Sequence, residues 1–263
     1  MYREKTILLD GGDHQIPSTI TLPEKKPSLG LIMLHGTGSS RHEVGNGYDI
    51  ASRLLAERDG ILSIRLDFQG CGDSLSDFRK FTFRSAVQDA MAAAAYLQEH
   101  FGLYGKNLGI LGWSQGGTDA LLTAGTHPEA FGAVVTWAGA PDLGGLLGEE
   151  DYEEAEKNGF FTRHFDWRPD LCFSREWCRD VRNTDVLGVF SAFPSPVLAI
   201  AGTDDNVVDP VWAKRIVDSN RNEDSLFLYI EGMDHTFNTL KEEKKESLLL
   251  AVEKTGEFLR LYV

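Results

Sequence analysis

Apolar positions along this chain gather into short runs divided by turn-forming residues, and the runs alternate with stretches of helical spacing. TILL ahead of Asp10-Gly11-Gly12, IPSTITL ahead of Pro23 and LGLIML from Leu29 to Leu34 predict three β-strands. The last run is continuously apolar and ends in His35-Gly36-Thr37-Gly38, as expected of a strand buried on both faces that opens into a glycine-rich loop. Helical spacing from about Tyr48 to Glu57 precedes the strand-like ILSIRL, which ends at Asp67. An alanine-rich amphipathic stretch from about Phe83 to His100 leads to LGIL at Leu108 to Leu111, and a further helix is predicted over Gly116 to Ala124. AVVTW (Ala133 to Trp137), PVLAIAG (Pro196 to Gly202) and SLFLYI (Ser225 to Ile230) read as later strands, and a helix from about Lys241 to Leu259 closes the chain. This alternation implies parallel crossovers, so the expected fold is α/β: a mostly parallel central sheet with helices on both faces.

The stretch 141–195 breaks that rhythm. It holds few β-like runs, an acidic helical patch EEDYEEAEK, and many aromatic residues, among them Phe160, Phe161, Phe165, Trp167, Phe173 and Trp177. Because it lies between two strands of one sheet, it can cover a site without disturbing that sheet. A structureless excursion of this length is unusual in a compact domain. The expected organisation is a core domain of residues 1–140 and 196–263 with residues 141–195 inserted as a cap.

Composition narrows the functional classes. With 263 residues and 42% apolar side chains the chain can bury one large core. Twenty-six Lys and Arg against 40 Asp and Glu give a net charge of -14, which argues against nucleic acid as a partner. No run approaches the ~18 apolar residues needed to cross a bilayer, and the start MYREKTILLDGG lacks a signal-peptide core, so a cytoplasmic protein without a membrane partner is expected. Cys71, Cys172 and Cys178 form no C-x-x-C pair and read as reduced thiols. The spacing of the seven histidines with Asp and Glu suggests no metal site.

The strongest chemical signal is Gly112-Trp113-Ser114-Gln115-Gly116, directly after one predicted strand and directly before a helix. A serine on such a sharp turn has its hydroxyl pushed clear of the backbone, and the flanking glycines avoid the clash that side chains would cause. Serine also needs a base within hydrogen-bond reach, and the base needs a group to fix its tautomer. Thr203-Asp204-Asp205-Asn206 follows one late strand, and Asp234-His235-Thr236-Phe237 follows another. Both lie past the C-terminal ends of strands, where open parallel sheets build sites, and the order Ser, Asp, His is that of one hydrolase architecture. Asp209 and Asp234 read as solvated loop carboxylates, and His42 and His164 as surface residues.

Four motifs together resemble the α/β-hydrolase superfamily over nearly the whole chain. LHGTG resembles its oxyanion loop, GWSQGG its nucleophile elbow, GTDDNVV its acid loop and GMDHTF its histidine loop. LHGTGSS, LDFQGCGDS and the length of the cap further resemble feruloyl or cinnamoyl esterases and serine-aminopeptidase-like hydrolases. The resemblance implies Ser114 as nucleophile, His235 as base and Asp205, rather than its neighbour Asp204, as the acid. It also implies oxyanion-hole amides from Thr37 and from Gln115, each contributing about 3 kcal/mol, with His35 supporting the oxyanion loop. This chemistry requires no metal or organic cofactor.

An aromatic cap suits an aromatic or medium-length acyl group. The expected substrate is therefore a small carboxylic ester, including hydroxycinnamoyl esters, with Trp113, Phe160, Phe161 and Trp167 as candidate contacts. Alternatives are a peptidase that binds a free N-terminus through Glu149, Glu150 or Glu153, a thioesterase, and a non-catalytic ligand-binding protein. A homodimer is left open.

Overall fold

The computed structural model describes residues 1–166 and 168–263. Strand β1 (Tyr2–Asp10) folds back antiparallel on β2 (Gln15–Pro23), and β3 (Leu29–Leu34) follows. Helix α1 (Gly47–Leu54) leads to β4 (Ile61–Leu66), α2 (Phe83–Phe101) to β5 (Gly105–Trp113), and α3 (Gln115–Thr126) to β6 (Phe131–Trp137). Next come α4 (Glu149–Asn158), β7 (Phe160–Arg163), β8 (Leu171–Ser174), α5 (Arg175–Asn183) and α6 (Val186–Phe190). The chain ends with β9 (Val197–Gly202), α7 (Val211–Ser219), β10 (Leu226–Ile230) and α8 (Glu246–Tyr262).

One eight-stranded sheet runs in the order β1-β2-β4-β3-β5-β6-β9-β10. It is parallel from β4 to β10 and antiparallel where β2 meets β4 and β1. Alternation along the central strands feeds two cores. On β3, Ile32 and Leu34 face α2 and α3, whereas Leu31 and Met33 face α1 and α8. This two-sided burial is why the runs read as continuously apolar.

The inserted stretch between β6 and β9 contains a hairpin that its sequence did not announce, with Phe161 paired to Phe173 and Phe160 to Ser174. It is pinned to the core where the Asp180 carboxylate on α5 accepts the Phe83 amide at the start of α2, at 3.0 Å. Thr82 and Ser85 complete that helix start as a capping box, so three side chains absorb first-turn donors. The last helix begins later than its apolar spacing predicts. Asn238 and Glu242 hold Ser247 through side-chain hydrogen bonds of 3.2 and 2.7 Å, and Lys245 adopts a left-handed conformation, so the segment before Glu246 is a looped anchor.

Between α2 and α3 lies an acidic pair with no counterpart in the expected chemistry. Neither oxygen of the buried Asp119 has a hydrogen-bond partner among the described residues, and His14 Nε2 approaches Asp89 Oδ1 at 3.0 Å without hydrogen-bond alignment. Burial pushes the Asp89 carboxyl up to about 7, and burial beside Asp89 raises Asp119 well above the carboxylate range. A carboxyl with a raised folded-state pKa contributes stability below its unfolded value of about 4, and that contribution is lost as pH rises through 7. Asp89→Asn is therefore expected to raise the melting temperature at pH 8 by roughly 3–8 °C and to change it little at pH 4, as read by circular dichroism. A variant less stable than the parent at pH 8 would contradict this assignment.

Candidate active site

The sharp turn that begins at β5 is a packing solution before it is a chemical one. A Cβ on Gly112 would sit 1.9 Å from the Gly116 carbonyl oxygen, and one on Gly116 would sit 2.1 Å from that of Leu34. Glycine at both places lets α3 start directly over the end of β3. Ser114 between them has φ 55° and ψ -122°, a conformation that L-residues avoid unless the surroundings impose it. Its amide donates to the Trp137 carbonyl at 2.9 Å, and its own carbonyl accepts from Gly117 at 2.9 Å and Ala140 at 3.1 Å. The strained turn is thus bonded on three sides, and the hydroxyl projects from the sheet edge.

Two later strand ends bring their loops to that hydroxyl. His235 Nε2 lies 3.1 Å from Ser114 Oγ, and His235 Nδ1 lies 2.8 Å from Asp205 Oδ2. The other oxygen of Asp205 accepts the amides of Val207 and Val208, each at 2.9 Å, so the whole carboxylate is engaged. Asp205 is buried, whereas Asp204 is exposed at the cavity edge, its carboxylate accepting the Thr203 hydroxyl at 3.4 Å and its amide donating to the Met233 carbonyl at 3.1 Å. With Nδ1–H donating to the carboxylate, Nε2 is the acceptor that faces the serine hydroxyl.

The loop after β3 is held from both flanks. The Phe68 amide donates to His35 Nε2 at 3.2 Å, which fixes the ring's proton on Nδ1, and Nδ1–H donates to the Gly36 carbonyl at 2.7 Å. Burial lowers the His35 pKa, so the ring stays neutral and that tautomer persists. The Gly36–Thr37 peptide, whose N–H belongs to Thr37, is oriented in this way. The Glu43 carboxylate accepts the Gly36 amide and also the Ser39 hydroxyl at 3.0 Å. Thr37 Oγ1 donates to Gln115 Oε1 at 2.7 Å, which ties this loop to the first residue of α3, where amides have no intrahelical acceptor. Behind it, the buried Asp67 accepts from Arg41 through backbone amide and guanidinium alike, and this joins the loops of LHGTGSSR and LDFQGCGDS.

Trp113, expected to touch substrate, borders the cavity over Ser114 and also holds the histidine loop. Its indole is only 2% exposed, packs at 4.7 Å on Phe237, and donates Nε1–H to the His235 carbonyl at 3.1 Å. Asp234 is not a solvated carboxylate. Its Oδ1 accepts the Thr236 amide, the Thr236 hydroxyl and the Asn238 amide, and Oδ2 pairs with Lys241 at 2.8 Å. Burial opposes ionisation there, but Lys241 and the donated hydrogen bonds prevail and hold the group at about 2. It fixes a turn in which Phe237 and Asn238 both have positive φ. The spacing Asp, Thr, Asn at i, i+2, i+4 was the signal for it in the sequence.

A cavity of about 880 Å³ opens over Ser114 and His235, roofed by the inserted stretch, with Phe161, Phe165, Leu171, Phe173 and Trp177 in its lining. Phe160 lies elsewhere: on a strand its neighbour's side chain faces the opposite way, and its own ring stacks under the Arg79 guanidinium at 5.4 Å. Trp167 falls outside the described residues. Glu149 is bonded to Arg182 on the cap surface, and none of Glu149, Glu150 and Glu153 lines the cavity. Arg168 reaches from the cap to the carbonyls of Thr37 and Gly38. Among the described residues no group of side chains could hold a metal ion, and no helix is long and apolar enough to cross a membrane.

A mostly parallel sheet with a serine on its strand-to-helix turn, and an acid and a histidine past two later strand ends, defines a serine hydrolase of the α/β-hydrolase superfamily. The sequence profile of the prolyl oligopeptidase family matches residues 54–252, and the chain belongs to that family. The matched span includes Ser114, Asp205 and His235 but not the loop after β3. Among solved structures, the chain is similar to Est1E from Butyrivibrio proteoclasticus with ferulic acid bound, at 17% identity and TM-score 0.82, over 97% of this chain and 98% of that one. It is also similar to DcsB in complex with its substrate analogue (14%, TM-score 0.80, 99% and 100% covered). Dienelactone hydrolase from Anabaena variabilis is a third relative (18%, TM-score 0.69, 100% and 99%). At these identities the likeness establishes the fold. No curated protein matches by sequence.

Exchanging each loop carboxylate for an amide separates the two aspartates. Asp205→Asn is expected to slow reaction of the protein with a fluorophosphonate by roughly 10³-fold or more, because the imidazole loses the partner that sets its tautomer. Asp204→Asn is expected to change that rate by less than about threefold; the reverse pattern would contradict the geometry.

Proposed function

We propose that this chain hydrolyses small carboxylic esters through an acyl-enzyme on Ser114. The observation that carries the reading is the continuous Ser114–His235–Asp205 hydrogen-bond relay at the floor of an aromatic-roofed cavity. In this reading His235 Nε2 takes the Ser114 proton as Oγ attacks the ester carbonyl, and the amides of Thr37 and Gln115 stabilise the oxyanion. The same imidazole gives that proton to the leaving alcohol. It then takes one from water, whose oxygen attacks the acyl carbon, and returns it to Ser114 as the acid leaves. Residues 141–195 act as the cap that shapes the acyl pocket, with Phe161 and Phe165 as apolar walls for an aromatic or medium-length acyl group. The ferulic acid bound to Est1E, a chain of the same fold, supports an aromatic acid. The net charge of -14 supports a small-molecule rather than a nucleic-acid partner, and the free thiols of Cys71, Cys172 and Cys178 support a cytoplasmic setting.

Membership of the prolyl oligopeptidase family favours a second reading, cleavage of peptides. Against it, the cap carboxylates suited to a free N-terminus lie off the cavity. A panel of p-nitrophenyl esters and hydroxycinnamate methyl esters, run beside aminoacyl-naphthylamides, tests both. Turnover of at least one ester is expected, falling roughly 10⁴-fold or more in Ser114→Ala. Cleavage of the amides alone would replace the ester reading with the peptidase one.

A further inference from the structure

The loop after β3 meets the inserted stretch as closely as it meets the core. Arg168, on the connection between β7 and β8, lines the cavity and donates Nη2–H to the Gly38 carbonyl and Nη1–H to the Thr37 carbonyl, the latter at 3.4 Å. Both partners are shaped for this approach. Gly38 has φ 58°, and a Cβ there would sit 2.6 Å from Leu171 Cδ1 and 2.8 Å from Arg168 Nη2, so the glycine leaves room that the inserted stretch fills. On its other side the guanidinium packs over the Phe165 ring at 5.4 Å. Burial lowers the Arg168 pKa, but arginine starts high enough to stay charged, and the Glu43 carboxylate of the same loop favours that charge. Hydrogen bonds from a charged donor are stronger and more directional than neutral ones.

Three successive carbonyls of the loop are therefore held, that of Gly36 by the His35 ring from the core side and those of Thr37 and Gly38 by Arg168 from the cap side. Each trans peptide is a rigid plane, so fixing the planes on both sides of the Thr37 Cα leaves the Thr37 amide little freedom to swing. That amide donates to no acceptor among the described residues. We propose that Arg168 is a positioning residue for the oxyanion hole, its guanidinium fixing the Thr37–Gly38 peptide so that the inserted stretch, besides walling the cavity, completes the alignment of the Thr37 amide. The inference rests on the reading that this amide serves the oxyanion. It gives Arg168 no contact with the reacting atoms.

Reaction with an alkyl fluorophosphonate isolates the effect, because Ser114 Oγ displaces fluoride while the phosphoryl oxygen takes the oxyanion's place, and no ester turnover is needed. The maximal inactivation rate (kinact) and the half-saturating concentration (KI) are measured for the parent, Arg168→Gln and Arg168→Lys. Removing a whole oxyanion donor costs about 10²–10³-fold, so loosening one is expected to lower kinact roughly 10- to 100-fold in Arg168→Gln, with KI within about threefold of the parent. Arg168→Lys keeps a charged donor and is expected to react at least about fivefold faster than Arg168→Gln. A kinact for Arg168→Gln within threefold of the parent would overturn the proposal. So would a loss carried by KI alone, as a merely structural role in the cap would give, or a lysine variant as slow as the glutamine one. If Arg168→Gln does not fold, Arg168→Met, which keeps the stem over Phe165, takes its place with the same outcomes. A parent that does not react at all would instead mark failure of the serine-hydrolase reading, which the ester panel shows separately.

Discussion

The whole site depends on the close approach of three backbone segments around Ser114. The end of β3, the turn after β5 and the start of α3 meet at distances that no Cβ tolerates, which is why Gly112 and Gly116 flank the serine. That contact forces the serine into its strained positive-φ conformation, and it sets the loop after β3 beside the head of α3. The side chains of Thr37 and Gln115, whose amides are proposed as the oxyanion hole, therefore meet although 78 residues separate them in the chain. Backbone packing creates the chemical geometry here, and side chains then stabilise it.

Those side chains form a layer that positions the relay and the loop after β3. A neutral His35 orients the Gly36–Thr37 peptide, the Arg41–Asp67 pair locks the loop behind it, and Asp234 organises the turn that presents His235. Trp113 links the two halves, since the residue before the serine holds the carbonyl of the histidine. Breaking a buried ion pair such as Arg41–Asp67 by removing one partner costs about 3–5 kcal/mol, so this layer contributes to folding as well as to position. The acidic pair at Asp89 and Asp119 shows the opposite balance, because its burial favours the protonated chain.

Much of this was legible in the sequence, and the reasons are physical. The strands showed because two-sided burial makes them continuously apolar, and the relay residues showed because chemistry fixes their type while topology fixes their place past strand ends. Asp204 and Asp205 could be ranked only by resemblance to a family; the structure separates them by burial and by the amides of Val207 and Val208. Phe160 and Phe161 looked equivalent because no strand was expected there, and the alternation of a strand is what sends one to the cavity and the other under Arg79. Asp234 was misread as a solvated loop residue because the Asp-Thr-Asn spacing that marks its turn was passed over. The pairing of Arg41 with Asp67 had no signal at all, since it arises from a contact between distant segments.

In the proposed cycle Ser114 carries the acyl group during turnover. Acid-quenching the protein within milliseconds of mixing with an activated aromatic ester, followed by intact-mass and peptide mass spectrometry, tests it directly. The expected result is an added mass equal to the acyl group, confined to the peptide that contains Ser114, appearing and decaying in step with turnover. Release of the acid with no adduct at any quench time, or an adduct on another residue, would contradict it.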